Sequence, residues 1–232
     1  RASAAYGDAF YARIARRTAD YVLAEMTGEG GGFFSAQDAE VDHREGLNYL
    51  WTAEQVAGVL DADDAAFVGT VYGLDRGTNF QDPHHPDDGP KNVLRLDDRP
   101  AVVAERLGLG EDELLGRLDR VNTALYAARQ ERKQPGLDDK VLAAWNGMMI
   151  AAMVECGVTL DEPAYIDAAE RAARFVLDEM RDPSGLVCRS WRGERSAGVG
   201  VLEDQAWVIA GLLALDRAGR GDGAFAASAA EI

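Results

Sequence analysis

The sequence predicts an all-α fold: a partial (α/α)6-toroid-like array of helical hairpins with small β-hairpin insertions. Three observations predict it. The chain repeats itself at a constant offset of 154 residues, amphipathic helices alternate with helices that are apolar nearly all round, and short β-like stretches follow glycine-containing turns.

The repeat pairs "YARIARRTADYVLAEMTGEGG" (11–31) with "YIDAAERAARFVLDEMRDPSG" (165–185) without a gap. Nine positions are identical, among them Tyr11/Tyr165, Val22/Val176, Glu25/Glu179, Met26/Met180 and Gly31/Gly185, and Tyr21 faces Phe175. In the second copy Tyr165, Ala169, Ala172, Ala173, Val176 and Met180 form one stripe, with Asp167, Glu170, Arg171, Arg174 and Asp178 outside it, the pattern of a one-sided helix. The β-like stretches are "GGFFSA" and "GLNYLW" after the first copy and "GLVCRSWRGE" after the second, with a hairpin tip at 191–195. Residues 111–133 are amphipathic, with Leu114, Leu118, Val121, Leu125 and Ala128 on one face. The order is then amphipathic (111–133), apolar (138–156), amphipathic (162–181) and apolar (202–218). A helix apolar on every face needs protein on every face. Alternating outer and inner helices is the arrangement of an α/α toroid, whose inner helices line a cavity; an antiparallel bundle or solenoid is the rival. Thr52 reads as the cap of a further helix, and the Gly/Pro/Asp-rich stretch 72–96 as a long loop.

The 232 residues are read as a single domain spanning 1–232. The start at Arg1 and the helix-like last residues lead us to expect a fragment of a longer protein. Net charge is −16, with three lysines against 21 arginines and 24 aspartates. Such a surface disfavours nucleic acid and fits a halophilic source, in which salt screens carboxylate repulsion; an acidic protein from a GC-rich genome is the plainer alternative. No apolar run is expected to reach the roughly 18 residues of a membrane span, and no signal peptide is apparent. Cys156 and Cys188 read as reduced core residues, consistent with a cytoplasmic location.

Candidate chemistry gathers at the expected helix mouths. Asp138, Asp139 and Lys140 open the apolar helix 138–156, where a carboxylate also serves as an N-cap. On a helix Asp139 would share a face with Asn146 and Asp138 with Trp145, offering a carboxylate, an amide and an indole to a sugar ring. Gly147 costs about 1 kcal/mol against Ala in a helix interior, so close packing or close ligand approach must offset it. Glu203 and Asp204 repeat the arrangement at the next inner helix, and Asp38 at the end of a glycine-rich turn. Paired carboxylates suit general acid/base work, and their separation would distinguish retaining from inverting hydrolysis. Arg129, Arg132 and Lys133 end an outer helix, where positive charge suits the dipole; the alternative is that they reach the cavity rim beside Asp138, with Arg132 as a ligand-binding candidate. His84 and His85 in "DPHHPDD" are too loop-like for a metal centre, and His43 reads as a solvated turn residue, so no metal or cofactor is expected.

The stretches "GGFFSAQDAE…EGLNYLWT", "GTNF…KNVL", "RQERKQPGLDDKVLAAWNGMMI" and "VLEDQAWVIAGLL" resemble, in this order, the thioredoxin-domain-containing family typified by spermatogenesis-associated protein 20. The resemblance covers roughly residues 1 to 216. It implies an α/α toroid of the six-hairpin glycosidase type, similar to that of N-acylglucosamine 2-epimerases, following a thioredoxin-like domain that lies outside this chain and would be its partner. The motif positions it carries over are Asp38, Trp51, Asn79, Asp138, Asp139, Lys140, Trp145, Asn146, Glu203 and Asp204. It implies a carbohydrate ligand by fold alone. The leading expectation is acid/base hydrolysis by Asp138, Asp139, Glu203, Asp204 and Asp38, with Trp145, Asn146, Lys140, Trp51, Arg132 and Asn79 binding the sugar. A non-catalytic binding or scaffold domain and a sugar epimerase are the alternatives. Epimerases of this fold use histidines, and the three here fall in expected loops.

Overall fold

A computed structural model describes residues 2–232 as a mostly helical chain with small antiparallel sheets. It divides into two compact units. One comprises the chain up to Ala36 and from Leu137 to Ile232, and the other is the intervening Gln37–Gly136.

The first unit begins with α1 (Ala2–Tyr6) and α2 (Ala9–Glu25), the latter started by Asp8, whose carboxylate accepts from the Phe10 N–H at 2.9 Å. A glycine-rich turn leads to β1 (Phe34–Gln37).

The chain then builds the second unit. β2 (Glu40–Val41) and β3 (Arg44–Glu45) form a hairpin. Its two turn residues, Asp42 and His43, both have positive φ, the conformation that matches strand twist in a two-residue loop. β4 (Leu50–Trp51), α3 (Ala53–Ala57) and α4 (Ala62–Tyr72) follow. Thr52 caps α3 as expected, exchanging hydrogen bonds with Gln55. The expected loop 72–96 carries two short 3-10 turns and β5 (Asn92–Val93), which pairs with β4. α5 (Pro100–Leu107) and α6 (Glu111–Gln130) complete the unit, and the predicted stripe Leu114, Leu118, Val121 and Leu125 is buried against Trp51, Val56 and Val68. The unit leaves and returns at one point, where the Asp38 N–H donates to the Gly136 carbonyl at 2.7 Å.

Back in the first unit, β6 (Leu137–Leu142) runs into α7 (Ala143–Leu160), followed by α8 (Pro163–Glu179). The hairpin β7 (Ser190–Arg192) and β8 (Glu194–Arg195) turns at Gly193, and α9 (Leu202–Arg217) and α10 (Ala224–Glu231) end the chain. The sheet order is β1-β6-β7-β8, with Val141 opposite Trp191. The core is centred on α7, packed between α8 and α9, with Ile150, Met153, Val176 and Leu212 fully enclosed. Gly147 owes its place to close packing, since a Cβ there would land on the Trp207 carbonyl of α9.

The repeat survives in three dimensions, hydrogen bond by hydrogen bond. Phe34 donates to Met26 and Cys188 to Met180, both at 2.8 Å; Gly28 donates to Gly32 and Asp182 to Leu186, both at 2.9 Å; and Thr27 bridges Phe33 as Arg181 bridges Val187. Gly31 and Gly185 take nearly the same left-handed conformation, φ 96° and 92°. Each equivalent pair is 154 residues apart, so the sequence repeat is a structural repeat of helix, turn and strand.

Two expectations are corrected. Residues 138–142 are not the start of the apolar helix but a strand, because β6 lies between β1 and β7 and its backbone groups pair across the sheet before α7 starts. The expectation that no apolar run attains membrane-spanning length also fails. α7 has 18 residues at mean hydropathy 1.3, and half of them are buried, among the residues packed against α8 and α9.

Candidate functional site

The strand geometry of β6 decides which of its charges reach a cavity. Successive side chains point to opposite faces, so Asp138 and Lys140 share one side and Asp139 and Val141 the other. Asp138 pairs with Lys140 at 3.1 Å, and the Lys140 ammonium holds its carboxyl below the usual carboxylate range. Asp139 pairs with Arg192 of β7 at 2.7 Å and, together with Val141, lines a cavity of about 720 Å³.

Aromatic rings form much of the cavity wall. Phe34, Phe175 and Trp191 line it, with the Phe175 and Trp191 rings edge to face at 5.0 Å and 82°. Phe175 is held against the glycine-rich turn, where a Cβ at either Gly30 or Gly32 would lie 2.9 Å from its ring. Glu29, Arg171, Asp178 and Glu179 stand around the opening. Among the described residues the side chains of these four make no hydrogen bond or ion pair, so they are available to a ligand.

The other residues nominated in this unit serve the fold. Asn146 is buried; its side-chain oxygen accepts from the Phe33 N–H at 2.8 Å and its amide donates to the Phe33 and Leu142 carbonyls. Gln205 makes the same bidentate clamp on Val187, the residue equivalent to Phe33 in the repeat. Trp145 is turned outward, 53% exposed. With the helix starting at Ala143, the face shared by Asp139 and Asn146, and by Asp138 and Trp145, does not exist. Asp204 is buried at the start of α9. It accepts from the Val201 N–H at 2.9 Å and the Ala144 N–H at 3.4 Å and lies 3.6 Å from the Arg189 guanidinium. Glu203 is exposed in the same first turn.

In the second unit Trp51 is 4% exposed, and the Arg132 guanidinium lies 3.8 Å from its ring centroid while donating to the Asn48 and Leu50 carbonyls. This indole has no free face for a sugar, and its cation is already engaged. Asn79 clamps the Val93 backbone through both amide atoms, and Asp38 accepts from the Glu40 N–H at 3.1 Å. His85 is engaged with Asp82 at 3.0 Å; that bond and the His84 N–H lower the Asp82 carboxyl to about 2. His43 is an exposed turn residue, as expected. Cys156 and Cys188 are free thiols, and burial pushes both up in pKa.

Asp139 is thus the nominated residue that the fold delivers to the aromatic cavity. Sequence reasoning missed Phe34, Phe175 and Glu179 as cavity residues, although the run "GEGGGFF" and the pairing of Tyr21 with Phe175 both marked this turn.

No protein-family model matches the chain. Spermatogenesis-associated protein 20 of Homo sapiens is 33% identical over 236 aligned residues, covering 90% of this chain and 30% of the human protein. The Mus musculus protein of the same name is 32% identical with the same coverage, and the Caenorhabditis elegans uncharacterized protein B0495.5 is 27% identical over 83% of this chain. The chain spans about 30% of the length of these relatives. With this identity carried along nearly its whole length, the chain belongs to the family of spermatogenesis-associated protein 20.

Proposed function

We propose that the unit built from the two chain ends is part of an α/α toroid that binds a carbohydrate without transforming it, in the cavity walled by Phe34, Phe175 and Trp191. The toroid reading is supported by the repeated order of outer helix, glycine turn and strand, with an inner helix clamping each turn: α2 with α7, and α8 with α9. The observation that carries the function is the contrast between two sets of charges. Asp138 and Asp204 are engaged in an ion pair and a helix cap, whereas Glu29, Arg171, Asp178 and Glu179 stand unengaged around aromatic rings. Flat apolar rings with a few polar groups at their rim suit a sugar, whose ring stacks while its hydroxyls are hydrogen-bonded. A thioredoxin-like domain elsewhere in the full-length protein, implied by the family resemblance, is the partner such a binding domain would serve.

Hydrolysis is the second reading, favoured because Asp139 and Glu179 line the same cavity. Calorimetric titration with a panel of mono- and oligosaccharides, paired with product analysis, separates the two. Binding without product, abolished in Trp191→Ala and retained in Asp139→Asn, supports the binding domain. Product formation lost in Asp139→Asn supports hydrolysis, and a panel with no binder overturns both.

A further inference from the structure

A second cavity, of about 750 Å³, is also lined by Trp191. Its walls include Asp182, Cys188, Glu194, Arg195 and Ser196, and it shares Glu179 and Trp191 with the cavity described above. The two are therefore neighbours at the C-terminal end of α8, sharing Glu179 and the Trp191 indole. Each falls within the roughly 300–1,000 Å³ of sites that enclose a drug-sized ligand, so a single sugar ring would fill only part of one.

Resting on the carbohydrate reading, we infer that the ligand is an oligosaccharide whose successive units occupy both cavities, with Trp191 as the shared stacking surface. The β7–β8 hairpin is then the element that selects chain length. Its Glu194 and Arg195 line only the second cavity, and both are exposed at the edge of the sheet, where substitution leaves the core intact.

The test is calorimetric titration of the chain with glucose and N-acetylglucosamine and with their β-1,4-linked tetramers. The expected result is that one tetramer binds at least about tenfold more tightly than its monomer, because linked units fill adjacent subsites. The double variant Glu194→Ala/Arg195→Ala should bring the tetramer down to the monomer's affinity while leaving the monomer's unchanged. Equal affinity for monomer and tetramer overturns the inference and leaves the sugar-binding reading standing. Tight tetramer binding that is indifferent to the double variant overturns the placement across the second cavity. Binding of none of the four sugars overturns the carbohydrate reading and this inference with it.

Discussion

Trp145 and Asn146 are adjacent on α7, and the structure separates them by environment: the indole is 53% exposed and the amide is buried against the Phe33 backbone. Asn146→Ala leaves a buried N–H and a buried carbonyl without partners, each worth roughly 1–3 kcal/mol. The expected loss is about 2–4 kcal/mol, read as a lower urea midpoint at unchanged slope. Trp145→Ala should stay within about 0.5 kcal/mol of the parent. A ranking in the opposite order would mean that the indole, not the amide, holds this turn. Asp82 gives a pH prediction at the same scale. Its folded carboxyl titrates at about 2, chiefly because of the His85 and His84 hydrogen bonds, below the ordinary 3.8. A depressed pKa contributes stability that is present above 3.8 and is lost as pH falls toward 2. Asp82→Asn should flatten the acid limb of the stability curve between those values, measured by urea titration at a series of pH values.

At the scale of elements, the contact between α7 and α9 depends on missing side chains. Gly147 sits against the Trp207 backbone, and a Cβ at Gly211 would lie 2.8 Å from the Gly147 carbonyl. Helix propensity alone predicts that Gly147→Ala gains up to about 1 kcal/mol. Packing predicts the reverse, because a methyl group driven into a backbone must push the helices apart, at a cost of about 1–3 kcal/mol. A destabilised variant by thermal melting confirms that packing decides; a stabilised one would show that the two helices can part at little cost. The same reasoning explains why β6 is a strand. Asp138 and Asp139 have little preference for strands, yet the segment lies between β1 and β7, and pairing on both sides outweighs local propensity.

At the scale of the molecule, the Gln37–Gly136 unit is an insertion with its own core, and its two ends are brought together by the hydrogen bond from the Asp38 N–H to the Gly136 carbonyl. Joining Ala36 to Leu137 by a short glycine linker should therefore give a chain that still melts cooperatively with helical circular dichroism. A non-cooperative product would show that the unit built from the two chain ends needs the inserted one to fold. Net charge of −16 leads to a second expectation. Raising salt from about 0.1 M to 1 M shortens the screening length from about 10 Å to 3 Å and should raise the melting temperature by relieving carboxylate repulsion. A fall in melting temperature would count against the halophilic reading.

The sequence by itself determined the helices and their buried faces, because a 3.6-residue apolar period is a local property: the stripes of α6 and α8 are buried as read. It also determined the repeat, whose glycine turns at Gly31 and Gly185 keep the same left-handed conformation, and the hairpin turning within 191–195. Only the tertiary structure decided where the polar side chains go. Asn146 and Asp204 carry the chemistry of binding or catalysis in their formulas, but backbone groups 113 residues and 60 residues away in sequence claim them. Phe34, Phe175 and Trp191 lie apart in sequence, and only the folded chain brings turn, helix and hairpin together around one cavity. A side chain's period fixes the face it lies on. Its partner across that face is set by non-local pairing, which one sequence read along its length does not contain.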